Sequence, residues 1–237
     1  MKGNISIVVP GYNEEENIKT YDKLLIPEIK YLKNFEIIIV NDGSTDKTLE
    51  EAKKLMKKHK FVSLVSYEKN MGMGYAMKQG FKKTKYENTV VLDSDLTFHP
   101  RYIKDLLEAK NKTNADCVVG SHLMMEHGAE NVPLFRLMLH KSINYFYYIL
   151  FNRKVYTISS IFRLYNTKDL KEINIESNGF NINAEILFKL IQKKKKIVEV
   201  PAKLTKRVYG ESKINLMKEA KNHIILILKI FRWKLVG

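Results

Sequence analysis

Through its first 120 residues the chain alternates short β-branched runs with longer amphipathic segments, an order that few folds can satisfy. Ile5–Val9 reads as a strand that stops at Pro10-Gly11. Glu14 to Tyr31 reads as a helix, and Glu36–Val40 as a second strand that stops at Asn41-Asp42-Gly43. Ser44 or Thr45 can cap the next helix, with Asp46 in its first turn, and that helix runs to Lys58. Val62–Val65 is a third strand, and Asn70-Met71-Gly72-Met73-Gly74 opens a helix that runs to Thr84. Thr89–Leu92, nearly all apolar, suits a strand buried on both faces. Pro100 starts a helix through Lys110, and Cys117–Val119 gives a fifth strand. The order predicts an α/β fold with an open, mostly parallel, doubly wound sheet and right-handed crossovers.

Beyond residue 120 the pattern changes. Leu134–Phe151 reads as a helix crowded with aromatics, Asn181–Gln192 as another, and Ile197–Val200 as a short strand before Pro201. Residues 214–235 read as a basic amphipathic helix or a broken pair, in keeping with an interfacial membrane helix. Charge follows the same division. The formal net charge is +15, and residues 186–237 hold 14 Lys+Arg against 3 Asp+Glu, so the excess sits at the C-terminal end. Such an end can serve nucleic acid, an anionic membrane surface or a phosphorylated substrate. A nucleic-acid module gives no reason for acidic residues at successive strand ends, so no nucleic acid is expected. No apolar run approaches the roughly 18 residues of a membrane span, and the first run is too short for a secretory signal. The single cysteine, Cys117, excludes a disulfide framework and a cysteine-based zinc site and points to a reducing compartment.

In an open parallel sheet, ligands bind beyond the carboxyl ends of the strands. Those ends carry Tyr12, Asn13 and Glu14; Asn41, Asp42 and Gly43; Asn70, Gly72 and Gly74; and Asp93 and Asp95. In Asp93-Ser94-Asp95, two carboxylates at i and i+2 can reach one hard divalent cation, which commonly shares its oxygen ligands with substrate phosphates. Neither G-x-G-x-x-G nor Gly-Lys-Ser/Thr follows the first strand, which argues against hydride transfer and P-loop chemistry.

Val9-Pro10-Gly11-Tyr12-Asn13-Glu14, Val40 through Asp46, Asn70 through Ala76 and Leu92-Asp93-Ser94-Asp95 resemble, in order and spacing, the family 2 glycosyltransferases of GT-A fold. Gly120-Ser121-His122, Arg136 to Asn144, Ser160 to Arg163, Gly179-Phe180 with Glu185, and Val200-Pro201 with Arg207 through Lys213 are similar to the dolichyl-phosphate mannose synthase and polyprenyl-phosphate glucosyltransferase branch. The resemblance implies a GT-A domain over 1–213, with a nucleotide-sugar half at 1–121 and an acceptor half at 122–213, and a membrane-associating tail at 214–237. It implies an inverting transfer of a hexose, mannose or glucose, from GDP-mannose or UDP-glucose to a polyprenyl or dolichyl phosphate, on the cytoplasmic membrane face. Pro10, Tyr12, Asn13, Glu14, Asp42, Gly43, Gly72, Asp93 and Ser94 would bind the nucleotide sugar. Asp93 and Asp95 would hold Mg²⁺ or Mn²⁺, with Thr97 standing at the third-ligand position. Asp95, Arg136, Arg207 and Lys213 would act in catalysis by gathering metal and phosphates, and His122, His140, Arg163 and Glu185 would face the acceptor.

The chain departs from that branch where Thr97 replaces the usual Gln, His122 an Arg, His140 a Ser, Thr157 an Asp and Ile161 a Gly. Loss of an Arg removes a bidentate, always-charged donor. The departures cluster in the acceptor half. Two other readings therefore stay open from sequence: a family 2 enzyme acting on a glycan or another lipid, and an inactive homologue acting as a membrane-associated partner. Recruitment by a separate membrane protein also stays open.

Overall fold

The computed structural model describes residues 4–125, 145–151, 157–210 and 215–236. Strand β1 (Asn4–Gly11) runs through the middle of a seven-stranded sheet. Its side chains alternate between two cores: Ile5, Ile7 and Val9 enter one, and Val8 enters the other. β2 (Asn34–Asp42) and β4 (Asn88–Val91) flank it in parallel, and β3 (Val62–Tyr67) lies parallel outside β2. On the other side, β6 (Arg163–Asn166) lies antiparallel between β4 and β5 (Cys117–Ser121), and β7 (Ile197–Pro201) runs parallel to β5. The order is β3-β2-β1-β4-β6-β5-β7. The chain leaves β1 for β2 and β3 on one side and returns to β4 on the other. The carboxyl ends of β1 and β4 therefore form the switch point where such a sheet opens a crevice.

Helices cover both faces. α1 (Glu15–Lys19), α2 (Tyr21–Leu24), α3 (Ile26–Ile29), α4 (Thr48–Lys58) and α6 (Ile103–Thr113) pack over one core. α5 (Met73–Lys83), the helical residues 145–151 (α7), α8 (Thr167–Glu172), α9 (Ile182–Gln192) and α10 (Leu216–Val236) pack over the other. α10 is one continuous helix that sends Leu226 and Ile230 into this core. Trp233 stacks on Phe188 of α9 at 5.9 Å with the Lys189 ammonium 4.2 Å from its ring, contacts worth on the order of 1 kcal/mol each.

Local chemistry explains where the elements depart from the pattern. The helix expected over Glu14–Tyr31 is three short ones. The Thr20 hydroxyl and N–H both donate to Asn17 O, tightening the first turn, and Pro27 removes an N–H from the next. Ser44 and Thr45 do not cap α4. They bind Asn13, while Lys47 stands at the cap position and Asp46 Oδ1, one residue before it, accepts from Thr48 N at 2.9 Å. β6 has no local signature: four residues beginning with Arg and ending with Asn, set by their two neighbours.

Cys117 is buried on β5, and burial pushes its thiol pKa up to about 12. Its reaction with a disulfide reagent is expected to proceed only as fast as the native protein opens, and at the rate of a free thiol in denaturant. Rapid labelling of the native chain would contradict this packing.

Candidate active site

The crevice is built by crosslinks between strand-end loops. After β1, Asn13 takes a left-handed conformation (φ 54°), its N–H donating to Ser44 Oγ at 2.9 Å and its Oδ1 accepting from Thr45 N at 2.8 Å. Glu14 N donates to Thr48 Oγ1 at 2.7 Å. The loops after β1 and β2 thus become one rim. Pro10 lies buried in β1 opposite Val40, and Tyr12 is half-buried on the rim.

Asp42 ends β2, next to Gly43. Its Oδ1 accepts from Met71 N at 2.8 Å, and its Oδ2 from Gly72 N at 2.9 Å and Asn70 Nδ2 at 3.1 Å. Burial raises its pKa more than these donors lower it. Gly72 has φ +95°, and a Cβ there would lie 2.6 Å from Asn178 O. The glycine is required by that close approach and by the left-handed backbone.

Across the switch point, Ser94 packs beside Gly11, and its carbonyl accepts from the Tyr21 hydroxyl at 2.8 Å. Asp95 is buried. Its Oδ1 accepts from Thr97 N at 3.0 Å, so Thr97 acts here through its backbone. Its Oδ2 meets Arg207 Nη2 at 2.7 Å, and Arg207 Nη1 lies 3.4 Å from Glu14 Oε1. Arg207 arrives on a segment pinned to the β4 loop. Thr205 N donates to Thr97 O at 2.8 Å, its hydroxyl donates there at 3.0 Å, and Leu204 bridges Phe98. Burial and then the Asp95 carboxylate push Asp93 well above the usual carboxylate range; Arg207 opposes them and Glu14 adds to them.

Among the described residues, the carboxylates of Glu14, Asp93 and Asp95 gather around the guanidinium of Arg207. Among the described residues no group of three His, Cys, Asp or Glu side chains forms a metal cage. Two carboxylates at i and i+2 at the end of a strand fit a hard divalent cation that completes its shell with substrate phosphates and water. Asp93 and Asp95 are the donors suited to it.

The remaining candidates separate. Arg136, His140 and Lys213 lie outside the described residues, as does most of the helix expected over Leu134–Phe151. His122 is half-buried, with its ring 6.4 Å from Phe98. Arg163 is not brought to the crevice. It is fully buried in β6 and donates to Asn183 O at 2.6 Å, Ile158 O at 2.5 Å and Thr157 O at 3.4 Å. A guanidinium spent on three carbonyls in the interior has no surface to offer an acceptor.

Glu185 is also interior, accepting from Glu176 N at 2.8 Å, Ser177 N at 2.7 Å and Lys189 Nζ at 2.6 Å. Burial opposes its ionisation, but these donors outweigh burial and hold the pKa below its ordinary value. Its folded-state pKa being lowered, its stabilising contribution is present at neutral pH and is lost as pH falls through the folded value. Glu185→Gln turns an amide NH₂ toward a backbone donor. It is expected to cost about 1–3 kcal/mol in urea unfolding at pH 7, with the gap to wild type narrowing in acid. A variant as stable as wild type at pH 7 would contradict that role.

The family model described as glycosyl transferase family 2 matches residues 6–173. The chain belongs to that family. It is 32% identical over 97% of its length to dolichol-phosphate mannosyltransferase of Pyrococcus furiosus, of which it spans 64%. It is 26% identical over 98% of its length to polyprenol monophosphomannose synthase of Mycolicibacterium smegmatis, of which it spans 87%. Glucosyl-3-phosphoglycerate synthase from Mycobacterium tuberculosis, solved in complex with Mn²⁺, uridine diphosphate and phosphoglyceric acid, superimposes with a TM-score of 0.68 at 20% identity, over 95% of this chain and 77% of that one. That likeness shows the GT-A fold expected from the sequence.

Two features of the site have no sequence signature. The Asn13 crosslink depends on residues 31 and 32 positions away. The clasp of Arg207 on Asp95 and Glu14 depends on the Thr205–Thr97 contacts.

Proposed function

We propose that this chain transfers a hexose from a nucleotide diphosphate sugar to a polyprenyl or dolichyl phosphate at a membrane surface, as a metal-dependent, inverting glycosyltransferase. The observation that carries the reading is the pair Asp93 and Asp95 at the switch point with Arg207 clasped to Asp95 at 2.7 Å: anionic ligands and a phosphate-seeking cation in one crevice. The names of the two relatives favour the lipid phosphate as acceptor and mannose as the sugar.

When bound by Asp93 and Asp95, Mg²⁺ or Mn²⁺ would supply positive charge to the leaving diphosphate. The chain's own residues do the rest. The loops locked by Asn13, Glu14 and Asp42 form a rigid wall for the nucleotide, and Tyr12 and Ser94 line it. Arg207 brings a planar, always-charged donor to oxygen-rich groups. A lipid phosphate monoester, with a second pKa of about 6, is mostly dianionic at neutral pH. It therefore needs little from a general base and much from positive charge that offsets repulsion between two phosphate-bearing substrates. Arg207 supplies such charge, and Lys213 and Arg136 are assigned the same task. In this reading residues 1–213 form the transferase domain, with its halves meeting at residue 121, and 214–237 the membrane-associating segment.

The membrane surface is supported by what α7 and α10 leave outside. Tyr145, Phe146, Tyr148 and Ile149 of α7 are exposed, as are Ile224, Leu228, Phe231 and Leu235 of α10, beside Lys221, Arg232 and Lys234. Apolar side chains in such number, flanked by cations, suit an anionic bilayer surface. No described helix is long and apolar enough to cross a membrane.

The test is a panel of GDP-mannose and UDP-glucose offered with polyprenyl phosphate in liposomes or with soluble oligosaccharides. The reading predicts transfer to the lipid phosphate from one of these donors. Transfer confined to an oligosaccharide would replace it with the glycan-acceptor alternative, and no transfer from any donor would favour an inactive homologue.

A further inference from the structure

Helix α10 carries one acidic residue, Glu219, among its cations. Its carboxylate is turned toward the body of the protein: Oε2 accepts from Phe180 N at 3.0 Å and Oε1 from Asn222 Nδ2 at 3.1 Å. The Asn222 carbonyl accepts from Asn181 Nδ2 at 3.2 Å. The start of α10 therefore grips the segment 180–181 by two hydrogen bonds. On the opposite side of the same loop, Asn178 O accepts from Gly74 N at 2.8 Å and Tyr75 N at 3.3 Å, in the first turn of α5.

The loop is thin enough for both grips because of two glycines. A Cβ on Gly74 would lie 2.8 Å from Asn178 C, Ser177 O and Gly179 O. One on Gly179 would lie 2.5 Å from Asn222 Nδ2 and 3.0 Å from Glu219 Oε2. Residues 177–181 are thus a slab pressed between the beginnings of α5 and α10. Immediately before α5 stand Met71 and Gly72, whose N–H groups hold the Asp42 carboxylate. From Glu219 to Asp42 the path is Phe180, Asn178, Gly74 and Gly72, with hydrogen bonds at its ends and middle. Lys218, next to Glu219, lowers the Asp42 pKa through space, which sets this turn of α10 near the same carboxylate.

We propose that Glu219 is a positioning residue for the donor site: by holding Phe180 N it seats the 177–181 loop against α5 and so fixes the 70–72 segment that orients Asp42. The inference rests on the reading that this crevice takes a nucleotide diphosphate. It gives the C-terminal helix a second task beside its exposed apolar face, and makes its seating on the body a condition for a formed nucleotide pocket.

The test uses the full chain with Mn²⁺ and either UDP or GDP as probe, read by calorimetry. Glu219→Ala is expected to weaken nucleotide binding about tenfold, the effect of losing one hydrogen bond to a charged group. Glu219→Gln, whose amide oxygen still accepts from Phe180 N, is expected to stay within about twofold of wild type. Gly179→Ala, whose Cβ would displace the Asn222 amide and the Glu219 carboxylate from the loop while leaving Glu219 in the chain, is expected to weaken binding as Glu219→Ala does. In transfer assays the Glu219→Ala effect should fall on the donor KM and leave the acceptor KM unchanged. Leu226, Ile230 and Trp233 keep α10 seated, so the thermal midpoint should move little. Wild-type nucleotide affinity in both Glu219→Ala and Gly179→Ala would overturn the proposal, as would equal losses in Glu219→Ala and Glu219→Gln. A wild-type chain that binds neither nucleotide overturns the donor reading, and this inference with it.

Discussion

Asp95→Asn is expected to lower sugar transfer by about 10³-fold while leaving the fold intact. The amide oxygen can still accept from Thr97 N, so the turn after β4 survives, and the side chain keeps its volume in a buried place. What disappears is one of two anionic oxygen donors and the partner of Arg207. Charge stabilisation of a leaving diphosphate by a cation contributes several kcal/mol, and each 1.36 kcal/mol is tenfold in rate. The measurement is the initial rate of transfer at saturating Mn²⁺, with thermal unfolding as the control for folding. Undiminished transfer by Asp95→Asn or Asp95→Ala would remove the metal assignment.

Arg207→Ala should have two effects of opposite sign. Transfer is expected to fall by about 10²-fold, the cost of removing one charged donor from the position where negative charge develops. Binding of Mn²⁺ alone, read by electron paramagnetic resonance without nucleotide, is expected to tighten. In the ligand-free protein the guanidinium sits 2.7 Å from Asp95 Oδ2 and helps neutralise Asp93, so a cation must compete with it. Removing the competitor leaves the carboxylates more negative and more open. Weaker Mn²⁺ binding in Arg207→Ala would contradict the clasp, and an unchanged rate would take Arg207 out of the reaction.

The parts of this site that were legible in the sequence are those that a parallel sheet fixes by topology alone. Strands read from Ile5–Val9, Glu36–Val40 and Thr89–Leu92 must end on one edge, so Glu14, Asp42 and Asp93-Ser94-Asp95 had to converge whatever the loops did. The structure adds what depends on distant partners. β6 is a strand because β4 and β5 hold it on both sides, and no periodicity of its own marks Arg163–Asn166. Arg163 and Glu185 were expected at the acceptor because they are charged residues within matching motifs, yet both are interior and bind backbone groups. A buried charge of that kind cannot be told from a functional one without knowing which carbonyls or amides surround it. Gly72 belongs to a motif expected to contact the nucleotide, and the approach of Asn178 O independently requires a glycine there. Glu219 carried no signal at all, since a lone acid on a basic helix most often forms an i,i+4 pair with a neighbouring lysine.

The basic C-terminal end also takes a more definite form. Among its described cations, Arg207 lies on Asp95 in the crevice, Lys189 and Lys195 pair with Glu185 and Asp169, and on α10 Lys229 pairs with Glu176 at 2.7 Å while Lys221, Arg232 and Lys234 are exposed on the helix that carries the exposed apolar side chains. A helix fastened by Leu226, Ile230 and Trp233 on one face and bare on the other is held in a fixed orientation to the crevice.

The central claim is that Asp93 and Asp95 serve a metal-assisted transfer of sugar to a lipid phosphate. The most direct measurement is mass spectrometry of the lipid fraction after incubating the chain with GDP-mannose or UDP-glucose, polyprenyl phosphate liposomes and Mg²⁺ or Mn²⁺, with and without a chelator. The account predicts one product, a hexosyl-phosphate-linked polyprenol, that forms with metal and vanishes with the chelator. A lipid fraction without hexose under every donor and metal, or a yield unaffected by the chelator, would contradict it.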